Sequence, residues 1–163
     1  MSDILIRPAG EGDRDALWRA LAPAIREGET YALPRDMERE AALGWLFDAA
    51  HAVFVAARGG AVIGGFLLRA NKAGGGAHVA NAAFFTAPEA RGGGVASALC
   101  GFALDEARRR GFRAMQFNFV IASNEGAVRL WERFGFETVG RLPRAFAHPR
   151  LGEVDALVMH RFL

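Results

Sequence analysis

Residues 84–110, FFTAPEARGGGVASALCGFALDEARRR, constrain what this chain can fold into more than any other stretch. They read as a strand over 84–87, a turn at Pro88, a glycine loop and an amphipathic helix from Val95. Arg91 opens the loop, and Gly92, Gly93 and Gly94 follow without a break. Glycine has no Cβ, so an anion can approach the backbone closely there and meet N–H donors directly. The helix that follows adds unpaired N–H groups and the positive end of its dipole. A strand, a glycine loop and a helix N-terminus in succession make an anion site, most often for phosphate; the plain alternative is a surface loop. The two commonest phosphate patterns are missing, since no lysine closes a GxxxxGK loop and the glycines are not spaced as GxGxxG.

Length and composition set the frame. The 163 residues, 52% hydrophobic and 23% charged, have the balance of a folded domain, and we expect a single one over residues 1–163. The formal net charge is +2, and Arg108, Arg109 and Arg110 form the one basic cluster. That cluster ends a helix, where cations favour the dipole, so no nucleic-acid partner is expected. Cys100 is the only cysteine, which excludes an internal disulfide and fits a reducing compartment. No apolar run nears the ~20 residues of a membrane span, and the N-terminus lacks a leader core. A cytoplasmic protein without a membrane partner is expected. His51, His78, His148 and His160 lack metal-ligand spacing, so no metal is expected and the histidines read as structural or surface residues.

Taken in order, residues 4–6 form a strand ended by Arg7-Pro8, and Asp13 is placed to cap a helix running to Gly28. Tyr31, the only tyrosine, lies in the following loop. A second helix is expected over 36–50, with Met37, Ala41, Leu43, Leu46 and Phe47 as its apolar side. Strands follow over 51–57 and 62–69, turned by Gly59-Gly60, with Gly64-Gly65 marking a bulge or a close backbone approach. Residues 71–76 form a connector and 78–86 a strand. After the glycine-loop helix come a strand over 114–121, a helix over 125–134, and strands over 136–142 and 154–162 joined by a loop over 143–152. The order β-α-α-β-β-β-α-β-α-β-β implies an α/β sandwich, one mixed sheet with helices on its faces.

Two segments in this register carry a family resemblance. Arg91-Gly92-Gly93-Gly94-Val95-Ala96 fits R/Q-x-x-G-x-G/A, and residues 124–136, NEGAVRLWERFGF, resemble N-x-x-A-x-x-L-Y-x-x-x-G-F. Together they resemble the acyl-CoA loop and the second signature of the GCN5-related N-acetyltransferases, and the likeness extends from Ile4 to Phe162. The resemblance implies a mostly antiparallel sheet whose central strands splay apart. Acetyl-CoA is then the co-substrate, with its pantetheine arm on the strand edge near Phe84 and Thr86. Its pyrophosphate lies beside Arg91 on the amides of Gly92, Gly93, Gly94, Val95, Ala96 and Ser97, and Asn124 reaches the same arm. Acetyl transfer to an amine is then direct.

Trp131 stands where that family usually has a tyrosine proposed as the acid for the leaving thiolate. An indole N–H is no acid near neutral pH, so a water or an asparagine, Asn118 or Asn124, is expected to stabilise the thiolate. Asn81 and Asn118 interrupt apolar strands, where asparagine is disfavoured. Either they satisfy neighbouring backbone, or they line an acceptor slot. With Asn124 and the segment RLWERFGF, which carries Trp131, they resemble the yeast-type acetyltransferases of proline analogues such as L-azetidine-2-carboxylate, in which asparagines matching Asn81 and Asn118 hold the substrate carboxylate and amine. A small-molecule amine held by Asn81, Asn118 and Tyr31 is the expected partner. A protein acceptor and a non-catalytic acyl-CoA sensor are the alternatives. The closing strands also offer an edge for a homodimer.

Overall fold

The computed structural model describes residues 3–163. Its elements are β1 (Leu5–Pro8), α1 (Arg14–Glu27), α2 (Arg39–Leu46), β2 (Ala52–Arg58), β3 (Ala61–Ala70), β4 (Val79–Thr86), α3 (Val95–Arg109), β5 (Ala114–Ile121), α4 (Glu125–Arg133), β6 (Glu137–His148) and β7 (Gly152–Phe162). The expected order and class hold. One seven-stranded sheet runs β1-β2-β3-β4-β5-β7-β6, and every neighbouring pair is antiparallel except β4 and β5.

Gly64 and Gly65 show how tightly the centre is layered. A Cβ on Gly64 would lie 2.6 Å from the Phe85 carbonyl oxygen and beside Val95 of α3. One on Gly65 would lie 2.6 Å from the Phe54 carbonyl oxygen and beside Leu17 of α1. Successive residues of a strand face opposite sides, so α1 and α3 cover opposite faces at a point where no side chain fits. The β2–β3 register slips beside them, at Ala56/Ala57, so the glycine pair marks both a bulge and a close approach. On the α3 side Phe54 and Phe66 stack at 4.8 Å, and Phe102 closes on both.

Several boundaries differ from the expected ones. Helix α2 covers Arg39–Leu46 rather than 36–50, because Glu38 is extended and Phe47 leaves the helix. Its buried face holds Ala42 rather than Ala41. Strand β1 runs through Pro8, which an edge strand tolerates. Asp13 does not cap α1 with its side chain; the carboxylate turns back to the Gly10 N–H at 2.7 Å and to the Arg7 guanidinium at 2.8 Å. The Arg7 hydrogen bonds, then the Gly10 N–H, hold the Asp13 carboxyl down at about 2. The loop expected over 143–152 is mostly strand, since β6 continues to His148 through a register break between Leu142 and Phe146. Pro143 survives there because β6 is an edge, and Arg144 takes φ 51° at the break. Among the described residues no helix is long and apolar enough to cross a membrane.

Candidate active site

The centre of the sheet opens along one seam. Strands β4 and β5 pair only at Val79 with Ala114 and Ala80 with Met115, and then part. Backbone alternation identifies the groups left on the open edge of β4. Asn71 N–H donates to the Val79 carbonyl at 2.8 Å, and Ala87 N–H donates to the Ile63 carbonyl at 2.9 Å. Odd-numbered residues of β4 therefore turn their backbone groups toward β3, and Phe84 and Thr86 turn theirs toward the gap. The strand edge expected for a pantetheine arm is thus free of a ladder partner, apart from the Tyr31 hydroxyl, which donates to the Phe84 carbonyl.

At one end of this edge stands the glycine loop. Gly92 and Gly94 take φ 78° and 77°, conformations that favour glycine, and a Cβ on either would meet open space. The N–H groups of Gly92, Gly94, Val95, Ala96 and Ser97 donate to no protein acceptor among the described residues. Gly93 is the exception in the expected set, because its N–H is spent on the Ala90 carbonyl at 3.2 Å. Its own carbonyl accepts from the Arg58 guanidinium at 3.1 Å. That contact holds a cation under the loop, a contribution the sequence pattern does not announce. The Arg91 side chain lies in a bidentate ion pair with Glu27 at 3.2 Å, so as it stands it anchors the loop to the end of α1.

Two clefts meet at the seam. One, of about 390 Å³, is lined by Tyr31, Thr86, Arg91, Ser123, Asn124 and His148. The other, of about 350 Å³, is lined by Tyr31, Arg69, Asn81, Asn118, Asn124 and Trp131. Thr30, Tyr31, Phe84 and Asn124 belong to both. Loop residue Tyr31 therefore reaches the seam across a long sequence separation, with its ring edge on Trp45 at 6.4 Å. Burial pushes ionisation of its hydroxyl above the ordinary phenol range.

Asn81 and Asn118 belong to one polar ladder across the seam. The Arg69 Nε donates to Asn81 Oδ1 at 3.3 Å, and Asn81 Nδ2 donates to the Gln116 carbonyl at 2.9 Å. The Gln116 side chain donates to Asn118 Oδ1 at 3.0 Å, and Asn118 Nδ2 donates to Asn71 Oδ1 at 2.7 Å. Both readings of the asparagines thus have a counterpart: they satisfy neighbours, and they line the cleft. Each NH₂ retains a second hydrogen.

Asn124 caps α4, its Oδ1 accepting from Ala127 N–H at 3.3 Å; its amide nitrogen makes no hydrogen bond among the described residues, and the residue lines both clefts. Beside it the Ser123 hydroxyl is buried without a partner. Trp131 is buried against Phe84 at 5.1 Å and Phe117 at 4.9 Å, an apolar wall where a hydroxyl was expected to be missing. His148 Nδ1 accepts from the backbone N–H groups of Arg150 and Leu151, so the ring organises the β6–β7 turn and its Nε2 faces Glu29 at 3.9 Å. Arg150, hydrogen-bonded to Glu29, holds that carboxyl below the usual range. Cys100 lies in the core, its thiol pushed up to about 12 by burial.

Arg58, Arg69, Asn71, Gln116 and Ser123 were not singled out in the sequence. Gln116 had a readable signal, since it shares strand parity with Asn118; Ser123 directly precedes Asn124. The orphaned Ser123 hydroxyl, the unspent amides at the start of α3 and the bare edge at Phe84 and Thr86 together fit an acyl-CoA.

Comparison with known proteins identifies the family and the fold. The sequence profile described as "Acetyltransferase (GNAT) family" matches residues 17–136. The N-acetyltransferase aca1 of Schizosaccharomyces pombe is 35% identical over 79 residues, 48% of this chain and 38% of that protein. A GCN5-related N-acetyltransferase from Kribbella flavida superposes with a TM-score of 0.93 at 40% identity, over 98% of both chains. The fold is also that of yncA from Salmonella typhimurium, solved with acetyl-CoA, at a TM-score of 0.86 and 23% identity over 99% of this chain and 95% of that one. The chain belongs to the GNAT acetyltransferase family.

Proposed function

We propose that this protein moves an acetyl group from acetyl-CoA directly to the amine of a small molecule, of the amino-acid or proline-analogue type. The observation that carries the reading is the continuity of the seam. Unspent amides at the start of α3 lead along the free Phe84–Thr86 edge to a cleft of about 350 Å³. That volume lies in the range of small-molecule sites.

Each part has a physical task. The amides of Gly92, Gly94, Val95, Ala96 and Ser97 receive the pyrophosphate, with Arg58 and Arg91 supplying positive charge nearby. Phe84 and Thr86 pair with the pantetheine arm, and Ser123 and the Asn124 amide supply further donors along it. Acetyl-CoA brings the activated thioester. Asn81 and Asn118 hold the acceptor with their remaining N–H groups, and the apolar wall of Phe84, Phe117 and Trp131 excludes water. Holding amine and thioester together makes the step effectively unimolecular.

The amine nitrogen forms the new C–N bond while the C–S bond breaks and its electron pair leaves on sulphur. The nitrogen's proton is lost to solvent, and the thiolate is stabilised by the Asn124 amide, or by the Tyr31 hydroxyl once a pantetheine N–H takes its place on the Phe84 carbonyl. Tyr31 thereby takes up the part of the tyrosine absent at position 131. A covalent acyl-cysteine is disfavoured, since Cys100 is buried in the core away from both clefts. A single cysteine suits a cytoplasmic enzyme. A homodimer would use the outer edge of β6, where Val139 and Leu142 are exposed.

Thiol release from acetyl-CoA with a panel of azetidine-2-carboxylate, proline analogues, phosphinothricin, polyamines and short peptides tests the reading. Release with small amino or imino acids supports it. Release with peptides alone overturns it.

A further inference from the structure

Cleft by cleft, the charges are unevenly placed. The 390 Å³ cleft mixes signs, with Glu27 against Arg91 and Glu29 against Arg150. The 350 Å³ cleft has one charged side chain in its lining, Arg69, and no carboxylate. Arg69 lies in β3 opposite Asn81, and its Nε is tied to Asn81 Oδ1. Its two terminal nitrogens make no hydrogen bond or ion pair among the described residues. Asp48, which shares the adjoining third cleft with Arg69, makes no ion pair with it within 4.0 Å, and its Oδ1 accepts from the Ala50 N–H at 2.9 Å. A guanidinium fixed by one nitrogen and otherwise unpaired, in a cleft without an opposing charge, is a carboxylate receptor waiting for its partner.

We infer that Arg69 binds the carboxylate of the acetyl acceptor and so selects α-amino or imino acids over simple amines. The inference rests on the small-amine reading above and deepens it. In such an acid one carbon separates carboxylate from nitrogen. Anchoring the carboxylate on Arg69 therefore keeps the nitrogen inside the same cleft, between Asn81 and the seam. The cation acts on the nucleophile too. A nearby positive charge disfavours the ammonium form, and the neutral amine is the form that attacks. A polyamine meets only repulsion here. Asn81 is on this account a positioning residue as well as a ligand, because its Oδ1 fixes the rotamer of Arg69.

The test compares azetidine-2-carboxylate with its primary amide, which keeps the ring and the nitrogen but loses the charge. The wild-type enzyme is expected to prefer the acid in kcat/KM by about 10- to 100-fold, the range of a charge-assisted hydrogen bond. Arg69→Gln should bring the acid-to-amide ratio toward unity, and Arg69→Lys should keep part of it. The ratio is read within one enzyme preparation, so a loss of folded protein does not move it. Titration of the acid into enzyme preloaded with coenzyme A gives a second readout, and Arg69→Gln should weaken that binding by the same factor. A wild-type enzyme that uses acid and amide equally, or an Arg69→Gln variant that keeps the preference, overturns the inference and leaves the small-amine reading standing. Acetylation of peptides alone overturns both.

Discussion

Asn81 Nδ2 donates to the Gln116 carbonyl at 2.9 Å just beyond the last β4–β5 backbone pair, at Ala80 and Met115. A side-chain amide thus replaces the next rung of the ladder where the strands part, and it braces the mouth of the seam. Asn81→Ala leaves the carbonyl of a part-buried strand without this donor, at a cost of about 1–3 kcal/mol. It also frees Arg69. We expect a lower melting temperature and a loss of at least about tenfold in kcat/KM for the acceptor, with acetyl-CoA affinity much less affected. Retained turnover of every small amino acid would remove Asn81 from the site.

Tyr31 sits where the two clefts join, its hydroxyl on the Phe84 carbonyl. Tyr31→Phe keeps the ring against Trp45 and removes the donor. The variant should lose about tenfold or more in kcat, the worth of one good hydrogen bond, with a small change in KM for the acceptor. Because burial raises the ionisation of Tyr31, the hydroxyl stays protonated through the ordinary assay range. The pH–rate profile below pH ~10, the ordinary tyrosine pKa, should therefore show no limb that disappears in Tyr31→Phe. Such a limb would contradict the assignment.

Gly94 caps α3 at φ 77° with open space where a Cβ would stand. Gly94→Val forces a branched residue into the left-handed region, at about 1–2 kcal/mol, at the residue that precedes the unspent amides of α3. Acetyl-CoA affinity measured by titration should fall at least about tenfold, against a stability change of that size seen by melting. Gly12→Ala, far from the seam and with no neighbour within 4 Å of its Cβ, serves as the control. Unchanged affinity in Gly94→Val would place the pyrophosphate elsewhere.

Much of this was legible in the sequence because it is local. The glycine loop and α3, the Asn124 cap and α4, and the hairpin at Gly59-Gly60 are each specified by residues a few positions apart. The motif pair over 91–96 and 124–136 also put the seam in register. What was not legible is the set of contacts made across strands. Arg69 lines the cleft, and Asn71 and Gln116 join the hydrogen-bond ladder of Asn81 and Asn118, only because β3, β4 and β5 lie side by side, and nothing within β3 distinguishes Arg69 from an ordinary strand end. Tyr31 is similar: its loop position is readable, but its reach to Phe84 depends on how α1 and α2 pack on the sheet. Strand β6 runs on past Pro143, because the usual meaning of proline as a strand breaker does not apply to an edge with a register break.

The Arg7–Asp13 pair predicts a pH dependence of stability unrelated to catalysis. The Asp13 carboxyl titrates at about 2 in the folded chain, against about 4 when unfolded. Its contribution is therefore present above pH 4 and is lost as pH falls from there toward 2, because the unfolded chain then binds the proton first. With the carboxylate 13% exposed, on the order of 1–2 kcal/mol is involved. Asp13→Asn should lower the denaturation midpoint at pH 6 and narrow its gap to wild type at pH 3. A gap that does not narrow would contradict the pairing.

The measurement that bears most directly on the whole account is the stoichiometry of the reaction with azetidine-2-carboxylate. Coenzyme A would be followed as free thiol, and the acceptor product identified by mass spectrometry. The account predicts one N-acetylated imino acid for each thiol released. It also predicts no acetyl group on Cys100 or any other residue when the acceptor is withheld. Tight acetyl-CoA binding without an acetylated product from any small amine, or an acetylated enzyme that hands its group on, would contradict it.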